Sequence, residues 1–317
     1  MIIVTGVTAR VPAKLNLQLA VGPPRADGYH DLVTVFHAVS LFDQVTVKPA
    51  GRDGITVTGE GADRVPADQD NLALRAIAAL RAAVPDRGTA AVHVTIAKRI
   101  PVAAGLAGGS ADAAAALVAC NELWAVGLTQ PQLCGIGATV GSDVAFALLG
   151  GTAVGRGRGE QLTPALAPAT QYHWVLAFAD GQLSTPAVYA ALDRLRAARP
   201  ADPAESEVVP ASEPDLDARL MSALRTGDAA RVGQQLSNDL QQAAVSLFPA
   251  LRKTLTAGLE LGALGALVAG SGPTCVFLAA NAERALELAV SLSGTGVCRS
   301  VARVSGPVPG AAVVSAA

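Results

Sequence analysis

Residues 101 to 113, Pro-Val-Ala-Ala-Gly-Leu-Ala-Gly-Gly-Ser-Ala-Asp-Ala, hold the densest chemistry in the chain. Glycines and a serine stand just before an alanine-rich run, Ser110 to Trp124, that contains no internal Gly or Pro, so the stretch reads as a loop ending at a helix N-terminus. The first turn of a helix leaves backbone N–H groups unpaired and carries the positive end of the dipole, which favours an anion. Glycines let the main chain approach that anion without a side chain intervening. Holding phosphate is the chemistry open to these residue types at this spacing. Glycine-rich turns also join strands to helices with no ligand present, and the loop alone leaves both readings standing. Two phosphate-binding patterns are excluded: no Lys follows the glycines as Gly-x-x-x-x-Gly-Lys-Ser/Thr requires, and Gly-x-Gly-x-x-Gly is absent from the stretch.

Such a loop needs a strand leading in and a helix leading out. Val92, Val94 and Ile96 alternate with smaller or polar residues and predict a strand over 91–97, followed by a helix over 110–124. The same patterning predicts strands near 6–12, 15–21, 33–48 and 54–59, and helices near 71–83, 130–138 and 142–149. Thr129 with Pro131 and Gln132 starts one of these helices, and Gly150-Gly151 stops another. After the Gly-Arg-Gly-Arg-Gly run at 155–159 a second unit is expected. Its strands fall near 173–179, 265–270 and 273–279, and its helices near 186–198, 216–225, 228–235, 248–260 and 282–293. The fold class is α+β, mixed sheets packed with helices, with domains at 1–157 and 158–317. Residues 199–214, rich in Pro and Glu, read as a mobile surface insertion, and 306–317, with Pro307 and Pro309, as a loose tail.

A chain of 317 residues can bury two cores. A net charge of −2 and a charged fraction of 16% offer no basic face for nucleic acid. Cys120, Cys134, Cys275 and Cys298 are far apart, which predicts buried free thiols rather than disulfides or structural zinc. No apolar run reaches the roughly 20 residues that span a bilayer, and the N-terminus has no export pattern, so a cytoplasmic protein without a membrane partner is expected. A monomer and a homodimer are both compatible with the sequence.

The loop resembles the second motif of the GHMP kinases, Pro-x-x-x-Gly-Leu-(Gly/Ser)-x-x-Ser-(Ser/Ala), with Pro101, Gly105, Leu106 and Ser110 in place. The resemblance implies a two-domain fold with the active site in the cleft between domains. Transfer of a phosphoryl group also needs an acceptor hydroxyl to be positioned, its proton removed and the moving charge stabilised. Lys14 and Asp143 are the candidates. Lys14 places a long cation in a half-buried strand, where its ammonium could equally reach solvent at the strand end. Asp143 stands at a helix start, where it could equally be a cap.

Three further segments fit one branch of that superfamily. Pro12-Ala-Lys-Leu-Asn-Leu followed by Arg25-Ala-Asp-Gly-Tyr-His resembles the N-terminal signature of the 4-diphosphocytidyl-2-C-methyl-D-erythritol kinases, Gly141-Ser-Asp-Val-Ala-Phe their catalytic-aspartate segment, and Gly270-Ser-Gly-Pro-Thr-Cys-Val-Phe the third superfamily motif. The resemblance implies that Asp143 is the base and that Lys14 stabilises charge on the attacking oxygen. It implies that Tyr29 and Tyr189 sandwich a cytosine ring, that His30 reads the base edge, and that Asn16 and Thr185 contact the rest of a substrate carrying a cytidine diphosphate group. For ATP, it implies that Asn71, Leu72 and Lys98 lie near the nucleoside, with the phosphates surrounded by Pro101, Val102, Ala103, Ala104, Gly105, Leu106, Ala107, Gly108, Gly109, Ser110 and Ala111. Many relatives carry Gly and Ser where this chain has Ala107 and Ala111, which leaves Ser110 as the hydroxyl for phosphate or Mg2+. Mg2+ is expected with ATP, its protein ligands unassigned. His37, His93 and His173 fall in no motif.

Overall fold

A computed structural model describes residues 5–166, 170–198 and 212–316. The chain opens on two long antiparallel strands, β1 (Val7–Pro24) and β2 (His30–Pro49), instead of two short strands at 6–12 and 15–21. Proline cannot donate to a ladder, which would favour ending a strand at Pro12. The pairing instead skips at Pro12, whose partner is Phe42 while that of Ala13 is Val39, and this bulge lets the strand run on.

There follow β3 (Gly54–Gly59), α1 (Leu72–Ala83), β4 (Val92–Lys98), α2 (Gly108–Leu123), α3 (Gln130–Val140), α4 (Val144–Leu149), β5 (Thr152–Arg156) and β6 (Gln161–Pro164). The second unit contains β7 (Tyr172–Phe178), α5 (Thr185–Ala197), α6 (Ala218–Thr226), α7 (Ala229–Gln234), β8 (Ser237–Asn238), α8 (Gln241–Leu247), α9 (Ala250–Glu260), β9 (Gly265–Val268), β10 (Cys275–Ala279), α10 (Ala282–Gly294), β11 (Ser300–Gly306) and β12 (Ala312–Ala316). The first sheet runs β12-β1-β2-β4-β3, with β5 and β6 continuing from β2 and β8 beside β1; the second runs β11-β7-β10-β9.

Two expected boundaries change. The β5–β6 hairpin spans the division drawn at 157/158, so residues 161–164 belong to the first sheet. The C-terminal stretch, expected loose, returns as β12 and pairs antiparallel with β1. Its exposed side chains bury nothing, but its backbone satisfies N–H and C=O groups that would otherwise edge the sheet. Short exposed strands without an apolar face leave no periodic signal. The expected insertion at 199–214 lies, except for its last three residues, outside the described residues.

Helix α2 runs through the first core with Ala113, Ala114, Ala115, Ala116 and Ala119 all fully buried. Small side chains all round let it pack closely against α1 and the sheet, so it shows no amphipathic stripe. Strand β7 joins the two cores by alternation: Tyr172, Trp174 and Leu176 face the first, Val175 and Ala177 the second. The second sheet is therefore covered by the first unit on one face and by its own helices on the other. Among the described residues no helix is long and apolar enough to cross a membrane. All four cysteines are free, and burial pushes the Cys120 and Cys275 thiols up to about 12.

At this junction His37 is fully buried, bonded through Nδ1 to Thr152 Oγ1 at 2.9 Å and flanked by the Tyr172 and Trp174 rings. Burial pushes its imidazole down to about 4, against a smaller upward pull from the Gly306 backbone. The unfolded chain takes up this proton near pH 6.5, whereas the folded chain resists until about pH 4. Stability from this residue is thus present above pH 6.5 and is lost as pH falls, by about 3 kcal/mol at pH 4. Urea unfolding at pH 7 and pH 4 checks this. His37→Gln should show a smaller pH difference than the parent, and an unchanged difference would acquit His37.

Candidate active site

The loop before α2 alternates through the left-handed region: φ is +52° at Ala103, +78° at Gly105 and +59° at Ala107. Such alternation turns successive N–H groups toward one side and makes an anion-binding concavity at the positive end of a 16-residue helix. Left-handed alanines are strained, and such strain persists where neighbouring structure over-determines the backbone. Here that neighbour is the loop after β9. A Cβ on Gly105 would collide with the Ala269 carbonyl oxygen, and one on Gly270 would sit 3.1 Å from the Gly105 oxygen and 3.3 Å from Lys14 Nζ. Asn238 Nδ2 donates to the Val268 and Gly270 carbonyls, each at 2.7 Å, and the Lys14 N–H donates to the Leu106 carbonyl at 3.3 Å. Residues near 14, 105 and 270 are thereby fastened together.

Two of the glycines expected to clear space for an anion are also crowded by the protein's own side chains. A Cβ on Gly108 would lie 3.1 Å from both Lys98 Nζ and Ile100 Cγ2, and one on Gly109 3.3 Å from Leu72 Cδ1. Under Gly108 the Lys98 ammonium donates to Asp43 Oδ2 at 2.5 Å and to Asp112 Oδ2 at 2.7 Å, with all three side chains almost wholly buried. Asp43 Oδ1 also accepts from the Arg99 and Ile100 N–H groups at 2.5 and 2.8 Å, fixing the entry to the loop. Burial opposes the Lys98 charge, but the two carboxylates outweigh it and its affinity for the proton rises. Burial pushes the Asp112 carboxyl up despite Lys98, and Asp43 adds to the rise. Lys98 thus commits its charge to the fold.

Lys14 Nζ lies 3.7 Å from Asp143 Oδ2 and donates to Asn16 Oδ1 at 2.6 Å. Asn16 Nδ2 donates in turn to Thr34 Oγ1, and Thr34 to the Gln18 carbonyl, so a chain of hydrogen bonds along β1 and β2 orients the ammonium. Lys14 is 8% exposed and does not end in solvent. Asp143 occupies the position before α4 with helical backbone angles and makes no side-chain capping bond. Its carboxylate is left for the cavity.

At the far end, Tyr29 is half exposed with the Arg158 guanidinium 5.1 Å over its ring. Tyr189, on α5, lies with its ring 5.1 Å from that of His30 at 36°, and burial pushes its phenol up, with Asp143 and Asp239 adding to the rise. His30 Nε2 is 3.0 Å from Asp193 Oδ1, and Thr185 Oγ1 is 2.8 Å from Ser271 Oγ. One cavity of about 1000 Å³ joins both ends, within the range of small-molecule sites. All the residues singled out in the sequence line it except Leu106 and Ala111, which turn into the core. Asn71 also caps α1, accepting from the Ala73 N–H at 2.9 Å.

Sequence reasoning missed Asp43, Asp112, Asp193, Asn238 and Ser271. Asp112 had a signal, a lone carboxylate in a run of alanines, and Asp193 another, one helical turn beyond Tyr189. Asp43 had none, because only the pairing of β2 with β4 brings it to Lys98.

The model of the GHMP kinases N terminal domain matches residues 71–151, and that of the GHMP kinases C terminal matches 220–297. The chain is 54% identical to a 4-diphosphocytidyl-2-C-methyl-D-erythritol kinase of Thermobifida fusca over 98% of its own length and 99% of that protein's. It is also 54% identical to one of Mycolicibacterium smegmatis, over 98% and 93%. A crystal structure of a 4-(cytidine 5'-diphospho)-2C-methyl-D-erythritol kinase superposes with a TM-score of 0.72 at 33% identity, covering 94% of this chain and 98% of that one. Homoserine kinase from Cytophaga hutchinsonii, at 19% identity and a TM-score of 0.72 over 99% of both chains, shares the fold.

Proposed function

We infer the reaction from one premise: the chain belongs to the GHMP kinases, in their 4-diphosphocytidyl-2-C-methyl-D-erythritol kinase branch. It moves the γ-phosphoryl of ATP to the 2-hydroxyl of 4-diphosphocytidyl-2-C-methyl-D-erythritol, giving the 2-phosphate and ADP on the non-mevalonate route to isoprenoid precursors. The observation that carries the mechanism is the Lys14–Asp143 pair, 3.7 Å apart and lining the same cavity as the loop at 101–110. Asp143 accepts the hydroxyl proton as the oxygen attacks, and Lys14, held by Asn16, stabilises the charge that develops there. A tertiary alcohol is too weak an acid to ionise beforehand, so both groups act in the transition state. The N–H groups of 101–111 and the start of α2 take the phosphates.

Mg2+ accompanies ATP. Among the described residues no three His, Cys, Asp or Glu side chains gather to cage a metal, and that donor set fits an ion held chiefly by phosphate oxygens and water, with Ser110 as its protein hydroxyl. When bound, the ion neutralises phosphate charge. Tyr29 and Tyr189 stack on the cytosine, His30 reads its edge, and Asn16 and Thr185 contact the remainder of the substrate. We place the enzyme in the cytoplasm.

An ADP-release assay with the cytidine substrate, homoserine and mevalonate in parallel tests the reading, with the product identified by phosphorus NMR. Turnover of the cytidine substrate alone is expected, and turnover of homoserine or mevalonate in its place would sink it. Tyr189→Ala should raise the KM for that substrate about 5- to 150-fold, the equivalent of roughly 1 to 3 kcal/mol of stacking, and leave the KM for ATP unchanged. Tyr189→Phe should be mild, since the ring and not the phenol does the stacking.

A further inference from the structure

His30 can discriminate between bases only if the nitrogen it presents has a defined character. A neutral imidazole has one N–H and one lone pair, and the partner of one nitrogen decides which of the two the other offers. In this structure Nε2 is engaged: it lies 3.0 Å from a carboxylate oxygen of Asp193, and an ionised carboxylate only accepts. The proton therefore resides on Nε2, and Nδ1 keeps its lone pair. Nδ1 makes no hydrogen bond among the described residues, although the His30 side chain is 5% exposed and lines the cavity. Its ring lies against Tyr189, and Asp193 follows Tyr189 by one turn of α5, so a single helix face supplies both the stacking ring and the carboxylate that orients the imidazole.

We propose that Asp193 is a positioning residue for base specificity: by holding the proton on Nε2 of His30 it makes Nδ1 an acceptor, which takes a hydrogen bond from the exocyclic amine of cytosine and rejects uracil. Cytosine carries an amine donor at position 4, where uracil carries a carbonyl acceptor. A lone pair facing that position forms a hydrogen bond with the first base and meets another lone pair on the second. Asp193 does not touch the base and acts through His30. The proposal rests on the cytidine reading of the site.

Two measurements on the full chain test it. In nitrogen-15 NMR of the histidine side chains at pH 8, with the His30 signals assigned by their loss in His30→Gln, His30 should show the Nε2–H tautomer in the parent and a mixture of tautomers in Asp193→Ala. An Nδ1–H tautomer in the parent overturns the proposal. In steady-state kinetics with cytidine and uridine forms of the same diphosphate substrate, Asp193→Ala should cut the cytosine preference in kcat/KM by about tenfold or more, as expected when a site loses the polarity that pairs with a substrate group. The loss should fall on KM for the cytidine substrate, with kcat and the KM for ATP retained. Asp193→Asn should restore part of the preference, because its amide oxygen still accepts from Nε2–H. Loss of preference in His30→Ala but not in Asp193→Ala overturns the role of Asp193 and leaves the cytidine reading intact. No cytosine preference in the parent enzyme overturns both.

Discussion

Asp143→Asn is expected to lower kcat by about 10²- to 10⁴-fold, the contribution of a positioned general base, while substrate binding and thermal stability stay close to those of the parent. The amide keeps the shape of the carboxylate but has no lone-pair charge with which to take a proton. Stability should be preserved because Asp143 makes no capping hydrogen bond to α4 and its one described ion pair, with Lys14, is partly solvent-exposed. Lys14→Ala should depress kcat as well. If the pair acts as a unit, the double variant loses less than the product of the two single losses. Undiminished turnover in Asp143→Asn would remove it from the mechanism, and fully multiplicative losses would separate its role from that of Lys14.

Lys98→Met is expected to be the most destabilising of the substitutions considered. Among the described residues it removes the one cation bonded to Asp43 and Asp112 and leaves the two acidic groups buried without a positive partner, and breaking a buried pair in this way typically costs about 3 to 5 kcal/mol. Denaturant unfolding measures this. Adding Asp112→Leu to Lys98→Met should recover a substantial part of the loss, because it discards one buried acidic group left without a partner, whereas Asp112→Leu alone leaves a balanced Lys98–Asp43 pair. If Lys98 served chiefly to bind nucleotide, as family resemblance implies, Lys98→Met would keep its stability and lose affinity for ATP alone. That outcome would overturn the structural role argued from its burial.

The two glycine-rich segments carried different amounts of legible information. The loop at 101–111 could be placed at a helix start from its own residues, since a strand alternation on one side and uninterrupted helix formers on the other are local patterns. Why its glycines are glycine could not be read there. Gly105 and Gly270 are needed because the two loops cross with backbone against backbone, and that contact spans some 165 residues of chain. The missed strands follow the same rule. β5, β6 and β12 are short and held by pairing, β5 with β2, β6 with β5 and β12 with β1, and β6 and β12 are exposed besides, so little in their own sequence announces them.

From the sequence, the catalytic class was legible through motif resemblance. The segments around Lys14 and Asp143, the loop at 101–111 and the Tyr29-His30 pair resemble short motifs of one kinase family, and that resemblance is legible without the fold. Only the tertiary structure decided how each side chain spends its polar groups. Asp143 could have capped α4 and instead faces Lys14; the Lys98 ammonium, though it lines the cavity, is held between the buried carboxyl groups of Asp43 and Asp112; His30 could have offered either nitrogen, and Asp193 holds one of them. The physical reason is that an ionisable group's role depends on which partners lie within about 3 to 4 Å once water has been excluded, and those partners come from strands and helices distant in sequence.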